Sequence, residues 1–150
     1  MTLFIDTSAL VRCYLRDIRS DAVVAAMQAD ETWVCSELTR TEAHLVLHRG
    51  ASSATHLDQL WDALRADLEQ CYIVPVDTEC LGLAIEIGAT HNVGTAASIQ
   101  LAAASRLPGP VTFLTCDDDH LAASSIRDMR LHLVSTREET APTTSTQGAR

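Results

Sequence analysis

The chain opens with Met1-Thr2-Leu3-Phe4-Ile5-Asp6-Thr7-Ser8-Ala9-Leu10, and this stretch decides its fold class. The apolar run at 3–5 predicts a short buried strand. It ends in Asp6, after which Thr7 and Ser8 can cap a helix that begins near Ala9. In open α/β sheets, ligands bind at the carboxyl ends of the strands. Asp6 is therefore either an acid of a binding site or only a helix cap. The acids that occur later in the chain distinguish these two interpretations.

Short apolar runs alternate with amphipathic patterns along the rest of the chain. Strands are predicted at 33–35, 72–76, 111–115 and 131–134. Helices are predicted at 9–16, 20–27, 36–50, 52–68, 77–89, 95–106 and 121–129. This alternation predicts an α/β fold with a central, mainly parallel sheet covered by helices on both faces, a three-layer α/β/α sandwich. Residues 1–135 are expected to form one domain, and the polar stretch 136–150 a disordered C-terminal tail.

The composition limits the classes of function. The 150 residues are 47% hydrophobic and 21% charged, which is typical of a soluble globular domain. We find no apolar run long enough for a membrane span and no secretory signal pattern at the start. The net charge is −9, with eleven arginines and no lysine. Such a chain does not attract nucleic acid through its overall field, so work on phosphodiesters needs a bound cation or a local arginine surface.

The five cysteines indicate the cellular compartment. They are Cys13, Cys35, Cys71, Cys80 and Cys116. Their number is odd, and no two are spaced C-x-x-C, so neither a disulfide framework nor a zinc site is expected. We interpret them as small buried hydrophobic residues of a protein in the reducing cytoplasm.

A second acid, Glu42, lies on the apolar stripe of the third predicted helix, between Leu38 and Leu45. A carboxylate on such a stripe is costly unless it is paired, hydrogen-bonded or bound to a metal. A capping box from Thr39 to Glu42 is the alternative, but Ser36 is the better helix start. Glu42 is therefore a candidate site residue.

A third group of acids, Asp117, Asp118 and Asp119, follows the strand predicted at 111–115. Their ordinary role would be to cap the next helix, and at least one of them is expected to do so. The neighbouring His120 is either a general acid or, as we expect, a surface histidine.

If the strands are neighbours, Asp6, Glu42 and Asp117 or Asp119 converge at one edge of the sheet. Carboxylates at such short distances repel each other. A hard divalent cation such as Mg²⁺ or Mn²⁺, bound by their oxygens, relieves this repulsion. Such a cation can activate water and stabilise the charge that develops on a phosphate. The Ser8 hydroxyl could hold the Asp6 carboxylate or a metal-bound water.

In their order along the chain, these residues resemble a PIN-domain ribonuclease, specifically the VapC-type toxin of a VapBC toxin–antitoxin pair. The resemblance covers residues 3–134. It rests on Ile5-Asp6-Thr7-Ser8-Ala9-Leu10, Ser36-Glu37-Leu38 with Glu42, residues 95–102, and Phe113-Leu114-Thr115-Cys116-Asp117. It implies a PIN-like sandwich and Mg²⁺- or Mn²⁺-dependent endonucleolytic cleavage of RNA, with structured RNA such as tRNA as one candidate substrate. It also implies a homodimer and a cognate antitoxin, for which the hairpin 38–68 is a candidate surface.

By that resemblance, Asp6, Glu42 and Asp117, or Asp119 in place of Asp117, would surround the metal. One position departs from the family pattern. Ala97 stands where the family usually has an aspartate, and Gln100 stands where it usually has a histidine. Deliberate silencing of a toxic enzyme and natural variation both remain open as explanations. Both predict weak metal affinity and impaired cleavage.

Two other functions compete with the nuclease. A catalytically weak PIN-fold module would bind antitoxin or RNA without metal-dependent cleavage. A phosphatase of the haloacid-dehalogenase kind also has an aspartate after its first strand, but it needs a second aspartate where this chain has Ser8.

Overall fold

A five-stranded sheet, parallel throughout, organises the chain. The computed structural model describes residues 1–136. Its strands are β1 Thr2–Ile5, β2 Thr32–Ser36, β3 Tyr72–Val74, β4 Val111–Thr115 and β5 Met129–Leu133. Their order across the sheet is β3-β2-β1-β4-β5, so β1 and β4 are central neighbours. All but the first residue of the predicted disordered tail, 136–150, lies outside the described residues.

Helices cover both faces of the sheet, which confirms the predicted α/β/α sandwich. They are α1 Thr7–Leu10, α2 Ser20–Gln28, α3 Glu37–Gly50, α4 Ala54–Gln70, α5 Thr78–His91 and α6 Thr95–Ser105. Two 3₁₀ segments, Val11–Cys13 and Asp118–Ser125, follow α1 and β4. Within the described residues, no helix is both long and apolar enough to span a bilayer.

Strand β1 shows why two helical layers form. Leu3 and Ile5 point into the core shared with α1 to α4, and Phe4 points into the core shared with α5 and α6. Side chains of a strand alternate between faces, so an apolar run in a strand must be covered on both sides. Phe4 stacks on Phe113 of β4 with ring centroids 5.3 Å apart.

The first helix is shorter than predicted, because α1 and its 3₁₀ extension end at Cys13 rather than near residue 16. Asp17 turns the chain there: it accepts a hydrogen bond from the backbone N–H of Arg19 and forms ion pairs with Arg12 and Arg19. Arg12 therefore lies in the 3₁₀ segment and Arg19 in the turn that precedes α2.

The buried face of α3 also differs from the prediction. Thr39, Ala43 and Leu47 point inward, whereas Leu45 is 50% exposed. Thr39 turns inward because its backbone N–H donates to the Ser36 hydroxyl and its own hydroxyl accepts from a buried amide of α6.

The strand and helix bounds near two other elements need correction. Strand β3 ends at Val74, one residue before Pro75, which lacks an N–H for the sheet. The helix predicted at 121–129 is instead the 3₁₀ segment Asp118–Ser125, which begins early because Asp117 caps it, and β5 begins at Met129 rather than at residue 131.

Side-chain hydrogen bonds connect the start of α5 to the end of α6. The Asp77 carboxylate caps α5 by accepting from the backbone N–H of Cys80, and it receives two hydrogen bonds from the Arg106 guanidinium. The Cys80 N–H and the guanidinium together lower the pKa of Asp77. Asp77 is therefore ionised over a wider pH range in the folded chain than in the unfolded chain.

The cysteines are all free, and only Cys35 and Cys80 are buried as predicted; the other three are partly exposed. Burial raises the pKa of Cys13 to about 11. The sulfur atoms of Cys35 and Cys71 lie 3.9 Å apart, and the hydrogen bond from the Cys35 thiol lowers the pKa of Cys71.

Candidate active site

A cleft of about 480 Å³ opens at the carboxyl ends of β1 and β4. Five elements line it: α1, the 3₁₀ segment that follows α1, α3, the first two turns of α6, and the 3₁₀ segment that follows β4. All four acids singled out from the sequence line this cleft, namely Asp6, Glu42, Asp117 and Asp119. Ser8, Ala97, Gln100 and His120 line it as well. Acids separated by more than a hundred residues in sequence thus share one site.

Asp6 both caps α1 and faces the cleft, so the two interpretations of this residue hold together. It is only 2% exposed. Its Oδ2 accepts from the Ser8 backbone N–H at 3.1 Å, from the Ser8 hydroxyl at 2.6 Å and from the Thr115 hydroxyl at 3.1 Å. These three donors hold the carboxylate in a fixed orientation.

Glu42 is half-buried and is held through one of its two oxygens. Its Oε1 accepts from the Thr7 hydroxyl at 2.8 Å and from the Gln100 amide at 3.0 Å. Among residues 1–136, Oε2 has no hydrogen-bond or ion-pair partner. Asp6 and Glu42 therefore face the same cleft, and one oxygen of Glu42 is free to bind a ligand.

The acids that follow β4 take different positions. Asp117 is half-buried and accepts from the backbone N–H of Asp119 at 2.9 Å, which gives it the expected capping role. Asp119 is exposed at the margin of the cleft. Asp118 is also exposed and lines a neighbouring cleft together with Arg12 and Arg19.

His120 is not the surface residue expected from the sequence, because it is only 4% exposed. The 3₁₀ turn directs it inward, where Nδ1 lies 3.1 Å from the Thr115 hydroxyl and the ring centroid lies 5.2 Å from that of Phe113. Its Nε2 lies 3.6 Å from Oδ1 of Asp6 and has no hydrogen-bond partner in the described part of the chain.

Three neutral polar residues hold the acids, a role that the sequence did not predict for them: Thr7, Thr115 and Gln100. Each is buried in the structure. A signal was available for two of them, since Thr115 ends an apolar strand and Gln100 interrupts an alanine-rich helix. Buried polar side chains in such positions require hydrogen-bond partners.

The donor set of the cleft suits a hard divalent cation. Its acids offer oxygen ligands, and no arginine of residues 1–136 forms an ion pair with any of them. Yet no three histidine, cysteine, aspartate or glutamate side chains of the described chain are close enough to enclose a metal ion. Mg²⁺ is commonly bound by only one or two carboxylates and several waters, so a loose acidic cleft still fits it.

Ala97 occupies the edge of this cleft from the first turn of α6. It is 8% exposed, and its methyl group provides no ligand. The position where the family resemblance expects an aspartate therefore lies in the cleft itself, and the cleft has one carboxylate fewer as a result.

The fold is shared with several solved structures. FitAcB from Neisseria gonorrhoeae has a TM-score of 0.69 at 21% identity, covering 87% of this chain and 96% of that chain. VapC20 from Mycobacterium tuberculosis, described as a toxin that cleaves the sarcin-ricin loop, has a TM-score of 0.67 at 16% identity, covering 86% and 99%. A toxin–antitoxin complex from Klebsiella pneumoniae has a TM-score of 0.64 at 16% identity, covering 86% and 95%. At these identities the likeness concerns the fold.

A search of curated proteins finds no match. The sequence itself matches the PIN domain over residues 3–125, which is most of the chain and includes every acid of the cleft. The haloacid-dehalogenase alternative is thereby set aside. By this match and by its fold, the chain belongs to the PIN-domain family.

Proposed function

We propose that this chain is a metal-dependent endoribonuclease toxin of a type II toxin–antitoxin system. The observation that carries the proposal is the convergence of Asp6, Glu42, Asp117 and Asp119 on one cleft at the carboxyl edge of β1 and β4. Asp6 and Glu42 each accept hydrogen bonds through one oxygen; the second oxygen of Glu42 has no partner among residues 1–136, and that of Asp6 lies 3.6 Å from Nε2 of His120. Asp6, Glu42 and Asp117 would surround Mg²⁺ or Mn²⁺, with one or two of them as direct ligands and the rest acting through metal-bound water, and Asp119 is an additional acid at the margin.

A bound divalent cation would activate water and offset the charge that builds up on the scissile phosphate. The chain's own residues prepare the site for it. Ser8 and Thr115 orient the Asp6 carboxylate, and the half-buried Glu42 keeps its position through Thr7. Arg12 lines the same cleft and is a candidate for a contact with RNA phosphate, although Asp17 already pairs with it.

The family and the structural neighbours support the proposed substrate and partners. VapC20 is described as a toxin that cleaves the sarcin-ricin loop, and the Klebsiella neighbour is a toxin–antitoxin complex. We therefore propose structured RNA, including tRNA, as substrate and a small cognate antitoxin as partner. We further propose a homodimer that acts in the cytoplasm.

A second candidate function is a PIN-fold module that binds antitoxin or RNA with little cleavage. It is favoured by Ala97, which removes a carboxylate from the cleft, and by the lack of a preformed three-ligand group within residues 1–136. The two candidates differ in one measurable property: whether the chain cleaves RNA in a metal-dependent way.

The test is cleavage of structured RNA, tRNA included, by the purified chain in Mg²⁺, in Mn²⁺ and in EDTA. Asp6→Asn should abolish cleavage, whereas Asp58→Asn, on the exposed face of α4, should not change it. Metal-independent cleavage, or equal cleavage by the Asp6 variant, would refute the nuclease site. RNA binding without product would favour the second candidate.

The antitoxin requires its own experiment. A small protein encoded beside this chain should co-purify with it and suppress its cleavage of RNA. Failure of any neighbouring gene product to bind would contradict the toxin assignment while leaving the nuclease assignment intact.

A further inference from the structure

Gln100 is a buried polar side chain in a helix otherwise made of small and apolar residues. It is 1% exposed and ranks among the largest fully buried side chains of the protein. A primary amide carries two donor hydrogens and an acceptor oxygen, and burying it without partners is costly. The Gln100 amide must therefore have hydrogen-bond partners that offset the free-energy cost of burying it.

The partners of Gln100 come from three other elements. Its Oε1 accepts from the Ser36 hydroxyl at 2.7 Å and lies 3.3 Å from the Thr39 hydroxyl. Its Nε2 lies 3.0 Å from the Thr39 oxygen, 3.2 Å from the Thr7 oxygen and 3.0 Å from Oε1 of Glu42. One amide thus joins the start of α3, the start of α1 and an acid of the cleft.

The orientation of this amide follows from its neighbours. The Ser36 oxygen accepts the backbone N–H of Thr39 as the cap of α3, which leaves the Ser36 proton for Oε1 of Gln100. A flipped amide would place its oxygen against the carboxylate of Glu42, where two acceptors would repel each other. The NH₂ group must therefore face Glu42.

Glu42 receives two hydrogen bonds at the same oxygen. Thr7 and Gln100 both donate to Oε1, while Oε2 has no partner in the described chain and the residue lines the cleft. Both donors are neutral, so they fix the carboxylate without neutralising its charge. An arginine in place of Gln100 would hold Glu42 equally well but would cancel the charge that a cation needs.

We propose that Gln100 is a positioning residue of the acidic cleft: it holds Oε1 of Glu42, directly and through Thr7, and so presents Oε2 to a divalent cation. The proposal rests on the proposed function, because it assigns Glu42 to the cation. It also gives a role to the position at which this chain departs from the histidine usual in its family. Partners of this kind orient ligands, and their removal typically weakens metal binding by roughly 10- to 100-fold.

The test measures Mn²⁺ binding by the full chain, using electron paramagnetic resonance of the free ion, and not activity alone. Gln100→Met should weaken binding by about 10-fold or more. Gln70→Met makes the same replacement at the exposed end of α4 and should leave binding unchanged. Circular dichroism and thermal unfolding without Mn²⁺ establish that each variant is folded.

A second pair of variants tests the same oxygen of Glu42 if Gln100→Met fails to fold. Thr7→Val removes the hydroxyl with little change of shape, and Thr7→Ser retains it. The serine variant should bind Mn²⁺ more tightly than the valine variant. Adding Gln100→Met to Glu42→Gln should weaken binding no further than Glu42→Gln alone, because the two residues would act through one contact.

Folded Gln100→Met with wild-type Mn²⁺ affinity would overturn the positioning role and leave the proposed function intact. Equal affinity of the Thr7→Val and Thr7→Ser variants would also count against the positioning role. If the wild-type chain and Asp6→Asn were alike in binding no Mn²⁺, both the positioning role and the proposed metal site would fall.

Discussion

Restoring a carboxylate at Ala97 should strengthen the metal site. Ala97 is the third residue of α6, whose N-cap, Gly94, makes no side-chain hydrogen bond and whose first turn contains no acid. An aspartate there gains about 0.3–1 kcal/mol from the helix dipole. The other carboxylates of the cleft oppose it by a similar amount, so we expect the metal-free stability of Ala97→Asp to change by less than about 1 kcal/mol.

The effect should emerge when metal is added. If the extra ligand tightens binding tenfold, the folded state gains about 1.4 kcal/mol more from saturating metal. For a domain of this size, about 2–4 °C of Tm corresponds to 1 kcal/mol, so Mn²⁺ should raise the Tm of the variant by roughly 3–6 °C more than that of the wild type. Cleavage of RNA in Mg²⁺ or Mn²⁺ should rise in parallel.

The assay is thermal unfolding with and without Mn²⁺, followed by RNA cleavage at matched protein concentration. Ala54→Asp is the matched control, because it adds a carboxylate to the exposed, acid-free first turn of α4, outside the cleft. The reasoning would be refuted if Ala97→Asp matched the wild type both in its metal-dependent Tm shift and in its metal-dependent cleavage.

Three further predictions concern the fold. The pKa of Asp77 is lower in the folded than in the unfolded chain, so its carboxylate stabilises the fold above about pH 4. This contribution disappears as the pH falls through the folded pKa. The variant Asp77→Asn keeps a capping side chain but no carboxylate, so its free energy of unfolding should fall less than that of the wild type on acidification. Leu64→Ala, at a fully buried position in α4, should cost about 2–5 kcal/mol in urea unfolding, whereas Leu121→Ala, at an exposed position, should cost under about 1 kcal/mol. At pH 8, iodoacetamide should label Cys71 faster than Cys13 by mass spectrometry, because the pKa of Cys71 is lowered and that of Cys13 is about 11; equal rates would contradict the pKa order.

Most of the architecture could be predicted from local patterns in the sequence. Strand β1 was predictable because its apolar run is short, buried on both faces and ended by Asp6. The caps Ser36 and Asp77 marked the starts of α3 and α5, since their side chains satisfy backbone N–H groups nearby in the chain. Errors arose at the end of α1 and on the inner face of α3, where contacts with distant residues outweigh local periodicity.

By itself, the sequence determined the parallel α/β sandwich and the identity of the acids, because strand ends and helix stripes are local properties of the chain. Only the tertiary structure decided what surrounds those acids. His120 turned out to be buried beside Asp6, and Gln100 and Thr7 turned out to hold Glu42. The physical reason is that a hydrogen bond between residues such as Glu42 and Gln100 depends on how α3 and α6 pack against each other. The spacing of residues along one helix does not determine that packing.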